Sequence, residues 1–234
     1  MRLVLHQHPF ASYCQKVLVA LGELGLPFDT RLVDDADARA EHAARVWPLG
    51  GIPVLRDEEA GLTLPESTTI IEYLDRLAPD GPVLVPGDPA QALQARLWDR
   101  IVDQHIADQM GKIVTDRLRP EDTSDAAGVE QARATLDTAY GVLETRLGQH
   151  RWLAGDAFTV ADCAAAPALF YSWVVHRWDV DARPGVTRYY RDLMARPSVD
   201  RVIEDARPFR EVFPLPWPDD ADAYRPSRAS PTAP

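Results

Sequence analysis

The stretch from 79 to 89 most constrains what this chain can fold into, because Pro79, Gly81, Pro82, Pro86, Gly87 and Pro89 all fall within it. Proline removes a backbone donor and fixes φ, and glycine loses the most entropy on ordering, so neither a helix nor a central strand runs through such a density of both. The segment predicts a linker over 79–88 with a folded unit on each side. The 234 residues are enough for two modest cores, and 46% hydrophobic with 26% charged residues is ordinary for a soluble globular protein.

The two sides of this linker read differently. Upstream, Leu3-Val4-Leu5 suits a short buried strand ending near His6. A loop over His8–Ser12 follows, and then Val17, Leu18, Leu21 and Leu24 recur at helical spacing with Gly25 as the stop. Pro27 opens a second strand through Phe28, Leu32 and Val33, and the Ala- and Arg-rich stretch from Asp37 to Val46 predicts a short helix. Pro53 would interrupt the ladder of a central strand, so it is expected to start one, with a cis bond exposing the backbone before it. Gly61 turns the chain into a strand at Leu62–Leu64, and Ile70, Ile71, Leu74 and Leu77 form one helical face. The order over 1–78 is βαβαββα.

Downstream the pattern is helical only. Leu93, Leu97 and Ile101 lead a long amphipathic helix, Leu136, Tyr140, Leu143 and Leu147 a second, and two more are expected over 160–176 and 184–195. An all-α unit is therefore assigned to 89–207. The Pro-rich remainder, 208–234, reads as a tail, mobile in its stretch from Arg225 to Pro231.

A formal net charge of -11 argues against nucleic acid or an anionic membrane as partner, although an acidic protein can hold a few Arg side chains in one cleft. Cys14 and Cys163 are too few and too distant for a disulfide framework or a metal knuckle, which fits a reducing cytoplasm. Met1–His6 has no long apolar run, so neither a signal peptide nor a membrane span is expected. The spacing of His6 and His8 does not make a metal site.

Three segments carry chemistry. In Trp47-Pro48-Leu49-Gly50-Gly51-Ile52-Pro53-Val54-Leu55, a cis Pro53 would turn the N–H and C=O of Ile52 outward, where a peptide can pair with them as a short added strand. In Leu64-Pro65-Glu66-Ser67-Thr68-Thr69-Ile70-Ile71-Glu72-Tyr73-Leu74, Ser67 stands at a helix start. Its N–H, its hydroxyl and the positive end of the helix can hold a carboxylate, while Glu66 accepts from an ammonium, so the pair reads both ends of an amino acid. The plain alternative is that Ser67 is an N-cap. In Phe158-Thr159-Val160-Ala161-Asp162, Thr159 and Asp162 have the spacing of a capping box.

In this order and at these separations the three segments resemble the cytosolic glutathione S-transferase family, in its serine-type bacterial form, over nearly the whole chain short of the tail. The resemblance implies a thioredoxin-like N-terminal domain with a mixed sheet, followed by an all-α helical bundle. It implies glutathione as co-substrate with no metal, a small hydrophobic electrophile as partner, a homodimer using the long helix from Pro89, and a role in detoxification. Glutathione would be held by Ile52, Pro53, Glu66 and Ser67.

The sulfur end departs from the family. Pro9-Phe10-Ala11-Ser12-Tyr13-Cys14-Gln15-Lys16-Val17 resembles the Ser-Pro-Tyr-Ser-Arg-Lys-Val form, but the active serine falls on Ala11. Ser12, one position later, is the first candidate to donate to the thiolate, its other reading being an N-cap. Cys14, in the first helical turn, is the second, and would give a glutathione-dependent thiol reductase through a mixed disulfide. Tyr13 offers a phenol. With none of them active, the chain would be a non-catalytic glutathione-binding protein. Gly51 stands where many members have a Lys for the glycine carboxylate, leaving Arg39, His42 or Arg45 to substitute. The electrophile pocket is expected between the domains, lined by His105, Ile106, Met110 and Ile113 and covered by Phe213 and Trp217.

Overall fold

The computed structural model describes residues 2–226, with β1 (Leu3–Gln7) inside a four-stranded sheet of order β2-β1-β3-β4. β1 runs parallel to β2 (Asp29–Leu32) and antiparallel to β3 (Val54–Asp57), and β3 pairs antiparallel with β4 (Leu62–Pro65). Side chains alternate across the pleat. Leu3, Leu5 and Leu55 therefore enter the core with Val17, Ala20 and Leu21 of α1 (Ser12–Leu24) and Ile70, Ile71 and Leu74 of α3 (Ser67–Leu77). α2 (Ala36–Arg45) crosses the other face. Gly25 closes α1 in the left-handed conformation at φ 64°, which suits glycine. β2 is exposed along its length, as an edge strand can be, and is shorter than the span through Phe28 and Val33 read from sequence. Tyr73 donates to Asp57 at 2.7 Å, tying α3 to the end of β3.

The Pro- and Gly-rich connection is free of helix and strand, yet it is fastened at both sides. Leu84 is buried, its N–H donates to Asp75 at 2.7 Å, and its C=O accepts from Val160 at the start of α7 (Val160–Val175). The helical part comprises α4 (Pro89–Val102), a π-helical turn at Asp103–Ala107, α5 (Asp108–Asp116), α6 (Ala126–Leu147), α7, α8 (Pro184–Met194) and α9 (Pro197–Ala206). α7 is buried almost throughout and starts with the expected capping box, of which the Asp162 carboxylate is the hydrogen-bonded half. No described helix is long and apolar enough to cross a membrane.

Two sequence expectations are corrected. Leu93 and Leu97 are 65% and 46% exposed, whereas Ala92, Ala95, Trp98 and Val102 make the buried stripe of α4. Both sets have helical spacing, and the one with alanines permits close approach to α7. The C-terminal stretch is also ordered further than its composition implies. A 3-10 turn at Arg207–Val212 leads into a segment whose Phe213, Trp217 and Tyr224 pack on the core, and Arg225 is held by Asp200, Glu204 and Asp222. Residues 227–231 of the expected mobile stretch lie outside the described residues.

Candidate functional site

At the joint between β4 and α3, Glu66 takes φ 69°, a conformation that a side chain with a Cβ rarely adopts. Pro65 is held in the β4 pairing with Val54 and Ser67 begins the helix, so the chain must turn sharply at this one residue. Positive φ outside glycine concentrates at binding sites, where surrounding structure enforces it. Glu66 is the N-cap residue and Ser67 the first helical one, so the N-cap reading of Ser67 does not hold. The first N–H groups of α3 have no partners within the helix, and they face a cavity of about 470 Å³. Glu66, Ser67, Ile52, Pro53 and Trp47 line this cavity on the sheet side, and Arg100, Asp103, Gln104 and Asp108 line it on the helical side.

The Ile52–Pro53 peptide is cis, and Val54 then enters β3. Within the described residues no hydrogen bond engages the N–H or C=O of Ile52. The loop before it is fixed from behind, where buried His42 places Nε2 3.0 Å from the C=O of Gly51 and the N–H of Trp47 bonds the C=O of His42. Ile52 lines this first cavity and two others that meet it.

Below the α3 terminus lies a charged cluster. Lys16 of α1 is 1% exposed, with Nζ 2.7 Å from Asp99 and 2.8 Å from Asp103. Thr68 accepts from Lys16 at 2.9 Å and donates to Asp99 at 2.7 Å. An ammonium out of water needs such pairing. Two carboxylates share the one cation, and burial followed by the repulsion of Asp99 raises Asp103 to about 6 even against the attraction of Lys16. Tyr13 donates to Asp108 at 2.6 Å across the cleft, and burial together with that bond pushes its phenol far above the usual range. Tyr13 and Asp108 line both the first cavity and its apolar neighbour and form the wall between them.

That neighbour, about 490 Å³, contains Ala11, Ser12, Met110 and Phe213 in its lining. The loop before α1 is fixed by Phe10 N–H to His8 Nδ1, Ala11 N–H to His8 C=O, and Gln15 Nε2 to Pro9 C=O. Ala11 is the N-cap position, so Ser12 is the first helical residue and does not serve as the cap. Phe10, Tyr171, Phe213 and Trp217 make an aromatic cluster, with Phe10 5.7 Å from Phe213 and 6.2 Å from Trp217. The segment after α9 thus folds back over the cavity.

Several sequence-read residues are placed elsewhere. Cys14 is 0% exposed, burial pushes its thiol up to about 12, and it lines none of these cavities, which removes it as a nucleophile. Ile106 and Ile113 are in the core and His105 is exposed on the outer side, so of the four expected lining residues only Met110 reaches the cavity. Ala107, Gly111, Val114 and Leu118 take their places. Ala107, Gly111, Val114 and Leu118 keep regular helical spacing one residue along from Ile106, Met110 and Ile113, and helical spacing alone does not choose between two adjacent stripes.

The third cavity lies beyond Ile52 from α3, and His8, Arg39, Gly50 and Ala11 are in its lining. Of the three substitutes considered for the absent Lys, Arg39 is at this end. His42 is committed behind the loop, and Arg45 lines a separate cleft with His6. His8 faces Phe209, and burial lowers its basicity.

Lys16, Asp99, Asp103 and Asp108 were missed by sequence reasoning. A signal existed in Lys16, set between buried Cys14 and Val17, and in Asp99 and Asp103 four residues apart beside Trp98 and Val102. Charges on an apolar helix face must meet one another.

A family model described as the N-terminal domain of glutathione S-transferase matches residues 5–87, and one described as its C-terminal domain matches residues 126–192. The chain is 30% identical over 198 residues to glutathione S-transferase GstB of Escherichia coli, covering 81% of this chain and 91% of that one. It is similar in structure to a glutathione S-transferase of Methylobacterium radiotolerans in complex with glutathione sulfonate, with TM-score 0.75, 31% identity, and 87% and 95% of the two chains covered. A second, from Methylobacillus flagellatus with glutathione bound, gives TM-score 0.78, 27% identity, and coverage of 86% and 98%.

Proposed function

We propose a mode of action from one premise: this chain belongs to the glutathione S-transferase family. It is a glutathione-binding transferase. Glutathione lies across Ile52 with its γ-glutamyl end in the first cavity and its glycine end in the third. The γ-glutamyl carboxylate takes the N–H and hydroxyl of Ser67 at the positive end of α3, and Glu66, with Asp103 behind it, faces the α-ammonium. The cysteinyl backbone pairs with the N–H and C=O of Ile52, and Arg39 meets the glycine carboxylate. The sulfur then points toward Ser12, whose hydroxyl donates to the thiolate beside the α1 N-terminus.

The thiolate attacks an electrophile in the apolar cavity under Phe213. A lining of Met and aliphatic side chains accepts varied apolar molecules, which suits conjugation of foreign electrophiles, the chemistry of detoxification in the cytoplasm. The exposed Leu93 and Leu97 on α4 give the protein a face for a second copy of itself.

The observation that carries this reading is Ile52, its backbone free at the meeting point of the three cavities. The test is an ultraviolet titration of the thiolate of bound glutathione. A drop of about two pKa units in its thiol corresponds to about 2.7 kcal/mol of preferential stabilisation of the anion. Ser12→Ala should reverse most of that drop and lower kcat with little change in KM. A bound thiol that ionises no more readily than free glutathione would overturn thiol activation and leave a binding protein.

A further inference from the structure

The outer face of the sheet, under α2, holds a cationic cleft of about 480 Å³ that glutathione transfer does not use. Arg31 of β2 is the register partner of His6 on β1, and Arg56 of β3 is the register partner of Val4, so all four side chains share one face. Adjacent strands are about 4.8 Å apart and two residues span about 6.7 Å, so the two guanidinium groups flank His6 and can converge above it. Arg45 and His42 reach the cleft from α2.

The charges do not balance. The carboxylates in the lining are Glu41 and Glu58, and each has a cation, with Glu41 3.4 Å from Arg45 and Glu58 2.7 Å from Arg2. Among the described residues neither Arg31 nor Arg56 has an ion pair. Burial lowers His6 to about 4, and the neighbouring charges acting on it are His42, Arg56 and Arg31, all of one sign. On a chain of net charge -11, two unmatched Arg side chains over one histidine are a local reversal of sign.

We propose that this cleft is a second ligand site, which binds a small phosphate ester independently of glutathione. A tetrahedral dianion presents oxygens to both guanidinium forks and to the N–H of neutral His6, whereas one fork saturates a planar carboxylate. The cleft is larger than a bare phosphate needs, and Val4, Val33 and Val46 offer aliphatic wall to an organic group. The site is separate from the glutathione loop, since His42 stands between them with Nε2 on the C=O of Gly51.

Calorimetric titration of the full chain with glycerol 3-phosphate tests the assignment, with glutarate as the dicarboxylate control. Saturable binding of glycerol 3-phosphate is expected in the presence of saturating glutathione, and glutarate should bind at least about tenfold more weakly. Arg31→Gln with Arg56→Gln should weaken the phosphate ester by at least about tenfold and leave glutathione affinity within about twofold. Both side chains are exposed, so glutathione binding by the double variant also reports its folding. No saturable binding, binding that survives the double variant, displacement by glutathione, or glutarate binding as tightly as the ester would each overturn the proposal. The glutathione titration is read separately, so loss of one site does not pass for loss of the other.

Discussion

Asp162 and the pair Asp99 and Asp103 are carboxylates withdrawn from water in one protein, and they are satisfied in different ways. Asp162, at the start of α7, accepts from Thr159 N–H at 2.8 Å, Thr159 hydroxyl at 3.2 Å, Leu153 N–H at 3.1 Å and Tyr189 hydroxyl at 2.6 Å. Every partner belongs to the chain, and the group is enclosed. Asp99 and Asp103 instead divide one ammonium, that of Lys16, and Asp103 borders the cavity at the α3 terminus. The first arrangement is complete without a ligand and serves the fold. The second leaves two carboxylates on one ammonium beside an open cavity that Arg100 also lines, where on the reading proposed above a ligand ammonium would add a further cation.

The largest expected effect breaks the closed network. Asp162→Ala leaves several buried donors without an acceptor, and urea denaturation should show a loss of about 4 kcal/mol. Glutathione affinity of the folded fraction should stay within about twofold. A loss below about 1 kcal/mol would mean that the network is not the structural one.

Ser67→Ala should do the reverse. Its hydroxyl caps nothing in α3, so stability should change by less than about 1 kcal/mol while KM for glutathione rises by about tenfold. Equal losses in stability and KM would erase the distinction between the two regions.

A pH series sharpens the open cluster. Asp103 is protonated below about 6 and ionised above it. Loss of its proton adds a negative charge facing the ligand ammonium, so glutathione should bind more tightly, by about fivefold, as pH rises through that value. Stability has the opposite sign. The folded pKa is raised, so the contribution of Asp103 is fully present below its unfolded value and is lost as pH rises through about 6. Asp103→Asn should flatten both profiles. A wild-type affinity independent of pH between 5 and 7, read as about two units around this pKa, would remove Asp103 from the site.

The smallest effect is expected at Cys14. Cys14→Ser should leave the transfer rate within about twofold and cost about 1 kcal/mol, because an enclosed thiol packs and does not react. A rate lost in this variant would restore the thiol reductase reading.

Local residue types made much of the fold legible. Pro53, Glu66-Ser67 and the Thr159–Asp162 spacing act through backbone geometry within a few residues, which a short motif can encode. The phase of the helix over 89–116 was not legible. Leu93 and Leu97 repeat as regularly as Ala92, Ala95 and Trp98, and only contact with α7 selects the latter. The lining read as Ile106 and Ile113 differs from the observed one for the same reason, because Ala107, Gly111, Val114 and Leu118 repeat as regularly one residue along, and only the packing of Ile106 and Ile113 into the core selects between the two stripes. In the C-terminal stretch the fold-back of Phe213 and Trp217 is legible from their aromatic side chains, whereas Arg225, which composition places in a mobile stretch, finds its partner Asp200 far away in sequence.

By itself the sequence determined the two-part division, the order of strands and helices, and the helix-starting joint at Glu66 and Ser67. Each follows from dihedral limits, periodicity and helix-end polarity, which are properties of neighbouring residues. Tertiary structure alone decided that Lys16 lies beneath that joint with two carboxylates from α4 and the π turn, that Cys14 is sealed while Ser12 lines the cleft, and that Arg39 lines the cavity beyond Ile52. Burial and charge pairing depend on distance in space, and residues 16, 68, 99 and 103 become neighbours only when α1, α3 and α4 pack.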